Sequence, residues 1–259
     1  MTGRIRAWTL GACGLGAALI GWWLLSLALA GGGGVISRLP PPFAVGAKLI
    51  AYARTDLAAD LLASLKVFAA GWVAGVILAT IAGVMLGRVR TLGRIFLPLV
   101  EAIRPVSSIA WVPLSIVWFG FGFTSKMFLV GLAVFLVVIV YAVDGSTRIA
   151  PELSRTAAML GMNAWQRFRN LVLPGVLSEV FIGSRVSLMT GWGTVIVAEL
   201  VAADAGLGAH LIGVQQSYDV AAVVAAMICF GASGFVMNAL FSAVEARLMP
   251  WRQPAGQDE

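Results

Sequence analysis

The chain has 259 residues, of which 60% are hydrophobic and only 12% charged, with mean hydropathy +0.94 and formal net charge +6. A water-soluble domain of this length needs far more charge to cover its surface, so that class is excluded. The basic excess does not point to nucleic acid either: the arginines stand beside apolar runs, and lysine occurs only as Lys48, Lys66 and Lys126.

Residues 7–30, 67–87, 127–143 and 220–244 carry no charge. Most of these runs reach the roughly 20 residues that a helix needs to cross an apolar layer about 30 Å thick. The first is preceded by Arg4 and Arg6 and ends on Ala28-Leu29-Ala30, which has the outline of a cleaved leader. It is longer than the usual leader core of about 7–15 residues, so the expectation is a retained first membrane helix, 7–30. Four glycines, Gly31 to Gly34, break it. An external segment follows, 35–64: Pro40-Pro41-Pro42 is extended, and from Phe43 apolar residues return at helical spacing, as in a helix lying on the membrane surface.

The second span is expected at 66–87. Gly71/Gly75 and Gly83/Gly87 are two GxxxG pairs within it, and they favour close packing inside the chain. The third, 95–119, holds Glu101, Arg104 and three prolines, Pro98, Pro105 and Pro113. It is expected to be kinked, and to pack in protein or face a cavity. The fourth is 127–143, the fifth 175–199, the sixth 220–244, with a polar loop at 144–173. Six spans put both termini on one side. That side would hold eleven arginines against five basic residues on the other, which marks it as cytoplasmic. The fold expected is therefore an all-α membrane domain of six helices covering residues 1–259.

The loop at 144–173 is the most informative stretch. Pro151 suits a helix start, Gly161 a left-handed turn after the helix, and Asn163 with Gln166 a capping box opening a second helix that Pro174 closes. Leu153, Ala157, Leu160, Trp165 and Phe168 give the pair an apolar face. Three readings fit: a hairpin on the membrane surface, a DNA-binding helix-turn-helix (disfavoured between two spans), and a docking element for a soluble partner.

The residues carry a resemblance. Arg155-Thr156-Ala157, then Gly161, then Leu171-Val172-Leu173-Pro174 are similar in spacing to the EAA loop of ABC importer permeases, with Arg155 in the place of that family's glutamate. Leu39 to Pro42, Ala110 to Gly120, and Ala198-Glu199 with Gly206-Leu207-Gly208 resemble other stretches of the same family, most closely its nitrate/sulfonate/taurine branch. The resemblance implies a type I importer permease in a bacterial inner membrane. It implies two permease copies lining one pathway, separate ATP-binding cassette subunits docked through Arg155, Thr156, Ala157, Gly161, Trp165, Leu171, Leu173 and Pro174, and an external binding protein that delivers a small anion. An aromatic or heterocyclic solute is the alternative within the branch. The chain itself has no GxxxxGK phosphate loop, so ATP hydrolysis is expected from another subunit.

Arg104, Trp111, Arg185, Trp192 and Glu199 are the candidate pathway residues. A charge inside a span is a functional hypothesis by default. Against it stand pairing of Arg104 with Glu101, pairing of Arg185 with Glu179, snorkelling, and Glu199 as an ordinary helix-end group. Trp111, Trp118 and Trp192 equally fit packing or interfacial roles. No metal or cofactor is expected: His210 is the only histidine, and Cys13 and Cys229 both lie in apolar runs. Two other classes were weighed. A membrane-embedded enzyme would have to pair Ser107 or Ser108 with His210. A secondary transporter would show an inverted repeat, and none is visible.

Overall fold

The computed structural model describes residues 2–30, 39–148, 153, 156–157, 159–201 and 205–248, and every regular element among them is helical. Helix α1 is Thr2–Ala30 and α2 is Pro42–Arg54, begun by extended Pro41 and a proline in its first turn. Helix α3, Leu57–Arg88, starts nine residues before the expected second span. The short helix expected from Phe43 is α2, but the external segment expected as far as residue 64 ends earlier, because Leu57, Leu61 and Leu65 pack on the core and carry the span through polar Asp60 and Ser64.

The expected third span is two pieces. Helix α4, Arg90–Ile103, is followed by a 3₁₀ turn at Ser108–Trp111 and α5, Val112–Phe119, and the two pieces are bent by 98°. Of the three prolines only Pro105 breaks the span. Its ring has no N–H to continue the ladder, and the helix ends there although Arg104 before it keeps helical dihedrals (φ −53°, ψ −39°). Pro98 stays inside α4, and Pro113 opens α5. Gly120 (φ +72°) and Gly122 (φ +142°) then reverse the chain into α6, Phe123–Thr147.

After the loop come α7, Ala164–Arg167, a π turn at Phe168–Val172, and α8, Leu173–Val201. Helix α9 is Leu207–Gln216, between the fifth and sixth expected spans, and α10 is Val220–Leu248. Four described helices are long and apolar enough to cross a bilayer, or five with the bent pair taken as one span. The remaining member of the expected six is α1, in which the apolar stretch Gly16–Leu29 is described.

Helix α6 is the central post, with α3 along one side and α8 along the other. The GxxxG glycines do what their spacing suggested. A Cβ on Gly71 would lie 2.7 Å from that of Val130, and one on Gly75 2.6 Å from the Gly131 carbonyl, so only glycine permits this approach. Val130, Val134, Val138, Ile139, Val176 and Val195 fill the centre. Large apolar side chains such as Leu62, Ile77, Leu78 and Ile81 point outward, which suits lipid and not water.

Candidate functional site

Three places hold the candidate residues. The first is the segment around Gly161, expected as a docking element. Gly161 takes φ +80°, the left-handed turn expected, with the Leu160 N–H donating to the Thr156 carbonyl and the Met162 N–H to that of Ala157. The capping box forms: the Gln166 N–H donates to Asn163 Oδ1 at 2.8 Å, and the Asn163 N–H to Gln166 Oε1 at 2.9 Å. Thr156 is exposed and Ala157 buried, while Met159, Leu160 and Trp165 stand largely in the open. The Trp165 ring stacks on Phe168 at 5.7 Å. Arg155 and Pro151 lie outside the described residues. Pro174 does not stop the helix, as the sequence suggested: Ala164–Leu200 runs on as one helix. The π turn explains this. The Leu173 N–H reaches back to the Phe168 carbonyl, and this wider turn gives the carbonyls ahead of the proline ring room. Leu171 and Leu173 are half-buried against it.

The second place is at the opposite end of the bundle, where α3 and α6 begin and α8 ends. Glu199 is fully buried there, not a surface group at a helix end. Its Oε2 accepts from Ser64 Oγ at 2.9 Å and from the Gly208 N–H at 2.8 Å, and Ser64 Oγ accepts from the Leu207 N–H at 2.9 Å. Gly206, at φ +117°, lies where any Cβ would collide with the Glu199 carboxylate, so this glycine is obligatory. Beside it, Asp60 accepts from the Gly206 N–H at 3.3 Å and from Tyr52 Oη at 2.8 Å, and His210 Nδ1 stands 3.9 Å from Asp60 Oδ2. The Tyr52 and His210 rings stack at 3.7 Å. Burial and the neighbouring Asp60 carboxylate push the Tyr52 hydroxyl far above its usual range, so it stays protonated and donates. On the outer rim Lys48 Nζ meets Asp219 Oδ2 at 2.6 Å, and this bond holds Asp219 below the usual carboxylate range. His210 is thus engaged with Tyr52 and Asp60, and among the described residues no hydrogen bond joins it to Ser107 or Ser108.

The third place is the elbow between α4 and α5. Arg104, Ser107, Ser108 and Trp111 line a cavity of about 290 Å³ with Val106, with Leu132, Ala133, Leu136 and Val137 of α6, and with Thr190 of α8. Arg104 makes no ion pair with Glu101 or with any other described carboxylate, against the pairing the sequence offered. The Trp111 Nε1–H is buried without a partner. The other membrane arginine behaves differently. Arg185 Nη1 bonds Glu245 Oε2 of α10 at 3.1 Å, while Glu179 faces Arg148 at 3.6 Å. Six residues along a helix is about 240° of rotation, so Glu179 points away from Arg185. Trp192 is buried in packing. It stacks on Phe230 at 4.7 Å, donates to the Phe230 carbonyl at 3.2 Å, and meets Phe68 edge-on.

Together these features define a polytopic helical permease-type membrane domain with a capped glycine turn at one end and a polar cavity at a broken span. Residues 71–250 match the family described as binding-protein-dependent transport system inner membrane component, and the chain belongs to that family. It is 33% identical over 219 residues to the Taurine transport system permease protein TauC of Escherichia coli (strain K12), covering 82% of this chain and 80% of that one. It is 28% identical over 228 residues to the Putative aliphatic sulfonates transport permease protein SsuC of Bacillus subtilis (strain 168), covering 86% of this chain and 82% of that one. The fold is also that of a chain in the crystal structure of an amino acid ABC transporter with histidines (TM-score 0.62, 17% identity, 78% of this chain and 97% of that chain).

Proposed function

We propose that the chain forms half of the solute pathway of an ATP-driven importer in a bacterial inner membrane, paired with a second copy of itself. Its termini and the 144–173 loop face the cytoplasm, on the side favoured by the arginine excess. Separate ATPase subunits grip the docking hairpin through Thr156, Ala157, Gly161, Trp165, Leu171, Leu173 and Pro174, with Arg155 beside them. An external binding protein hands over a small anion, sulfonate-like as the names of the relatives suggest. Nucleotide-driven closure of the ATPases then alternates the access of the pathway.

The observation that carries this reading is the hairpin itself. Met159, Leu160 and Trp165 are exposed around a left-handed glycine turn, at the end of the bundle where a capping box and a π turn join it directly to α8. Exposed apolar side chains on a rigid, capped turn fit a partner's groove. The test is co-purification of an ATPase with the tagged chain, together with uptake by the intact complex. Gly161→Trp, which strains φ +80°, and Leu160→Glu should each abolish ATPase association and uptake while the chain still inserts. Retained association and uptake in both variants would remove the docking reading.

A further inference from the structure

Helix α3 ends on Arg88, Val89 alone makes the turn, and α4 begins at Arg90, with Arg94 one helical turn on. All three arginines are exposed, and none forms an ion pair with a described carboxylate. Other arginines of this half of the bundle are treated differently: Arg148 pairs with Asp144 and Glu179, and Arg185 with Glu245. Arg90 also opens a helix whose first turn holds no acidic residue, although the dipole at that end favours negative charge. The positive charge at this turn is therefore uncompensated among the described residues.

The surroundings are apolar and face outward. Residues 67–87 carry no charge, so Arg88 follows directly on the stretch that fills the hydrocarbon layer and stands at headgroup level. Ile77, Ile81 and Met85 recur every four residues and are each about half exposed, and Arg88 continues their row one turn later. Gly93 presses the start of α4 onto the last turn of α3: a Cβ there would lie 2.6 Å from the Leu86 carbonyl oxygen. Ile95, about 200° around the helix from Gly93, faces away from α3 and is exposed, as is Leu99 one turn further on. Because α4 leads to Arg104 beside the centre of α6, its outer side lies within the apolar layer as well. An apolar row on each helix thus leads up to one basic turn.

What covers this turn must be anionic at one end and apolar along its length. A soluble protein cannot reach rows that lie inside the bilayer. A second copy using the same face about a two-fold axis would set these arginines against one another. We infer that the α3–α4 turn seats an anionic phospholipid, its phosphate held by Arg88, Arg90 and Arg94 and its acyl chains following the two rows. This goes beyond the importer reading and does not depend on it.

The test is native mass spectrometry of the complex purified through a tag on this chain, released from detergent micelles supplied with graded dioleoyl phosphatidylglycerol or dioleoyl phosphatidylcholine. The spectrum counts bound lipids, copies of the chain and other subunits at once. Wild type should hold the phosphatidylglycerol at least about tenfold more tightly than the zwitterionic lipid, within what three surface arginines supply at roughly fivefold each. Arg88→Gln, Arg90→Gln and Arg94→Gln combined should cut phosphatidylglycerol affinity about tenfold or more and leave phosphatidylcholine binding unchanged. Lysine at the same three positions should keep most of the preference, and Arg88→Gln alone should weaken phosphatidylglycerol binding about fivefold. Arg148→Gln, Arg169→Gln and Arg247→Gln combined remove the same charge from exposed arginines elsewhere, and should keep the preference within about twofold. No preference in wild type, undiminished phosphatidylglycerol binding in the first triple variant, or an equal loss in the second would overturn the inference. Loss of a second copy or of another subunit from the first triple variant would overturn it too, since a protein would then be what covers this turn.

Discussion

Glu199 and Arg104 are both charged side chains within the bundle, and they are handled in opposite ways. Glu199 is closed in completely, with a serine hydroxyl and a backbone N–H on one oxygen, a glycine pressed against the carboxylate, and Lys126 buried nearby in the first turn of α6. Arg104 stands on a cavity wall with no described carboxylate to pair with and an unpaired indole N–H beside it. The first arrangement fixes three elements, α3, α8 and α9, relative to one another. The second leaves the Arg104 guanidinium on the cavity wall without an ion pair to any described carboxylate. A charge in a span therefore says little about function until its partners are known: Glu199 holds its neighbours through Oε2, while its Oε1 is buried without a hydrogen-bond partner.

Substitutions that cut into this contrast should separate the two cases by size. Glu199→Ala strands Ser64 Oγ and the Gly208 N–H in a buried place and should cost about 3 kcal/mol or more, seen as a large drop in the melting temperature of the detergent-solubilised chain. Glu199→Gln keeps the shape and one acceptor and should recover part of that loss. Arg185→Gln is intermediate. It breaks the 3.1 Å pair with the mostly buried Glu245, and about 1 kcal/mol is expected because Arg185 is half-exposed. If both variants melt like wild type, the clamp description fails. Arg104→Gln should move stability by less than about 0.5 kcal/mol. A loss comparable to that of Glu199→Ala would make Arg104 structural and erase the contrast.

The smallest effect belongs to the rim. Asp219 is held below its ordinary carboxylate range by Lys48 and by the Ala222 N–H, so its pairing contributes stability above the unfolded-state value, and that stability is lost as pH falls through the lower folded-state value. The clip between α2 and the start of α10 should loosen only in acid, below the usual Asp range. Asp219→Asn should flatten that acid limb and lower stability at neutral pH by the same small amount, read from melting curves across pH. An unaltered acid limb would show that the clip adds nothing there.

Local chemistry was legible in the sequence, and pairing over distance was not. The capping box of Asn163 and Gln166, the left-handed Gly161 and the glycine spacing of α3 depend on residues within a few positions, and each appears where the spacing put it. The prolines announced a kink but not its depth, since only the backbone context separates Pro105, which breaks the span, from Pro98, which α4 absorbs. Glu199 was open between a pathway residue and a helix-end group because its partners, Ser64 and the α9 start, lie 135 positions before it and in an element the sequence does not announce. Arg185 was matched to the nearest carboxylate in sequence, whereas its partner is 60 residues on. The same blindness hid the unpaired Trp111 N–H: a missing acceptor is a property of a place, and no residue letter records it.

The π turn at Phe168–Val172 sets a phase. It is one residue's worth of extra backbone spliced into an otherwise continuous helix from Ala164 to Leu200. Each residue of an α-helix turns the chain by about 100°. The wider turn takes up that extra residue, so Trp165 and the capped turn keep nearly the facing they would have on a regular helix one residue shorter. A residue inserted elsewhere in this helix, with no wide turn to absorb it, would instead rotate Trp165 by about 100° around the axis of α8.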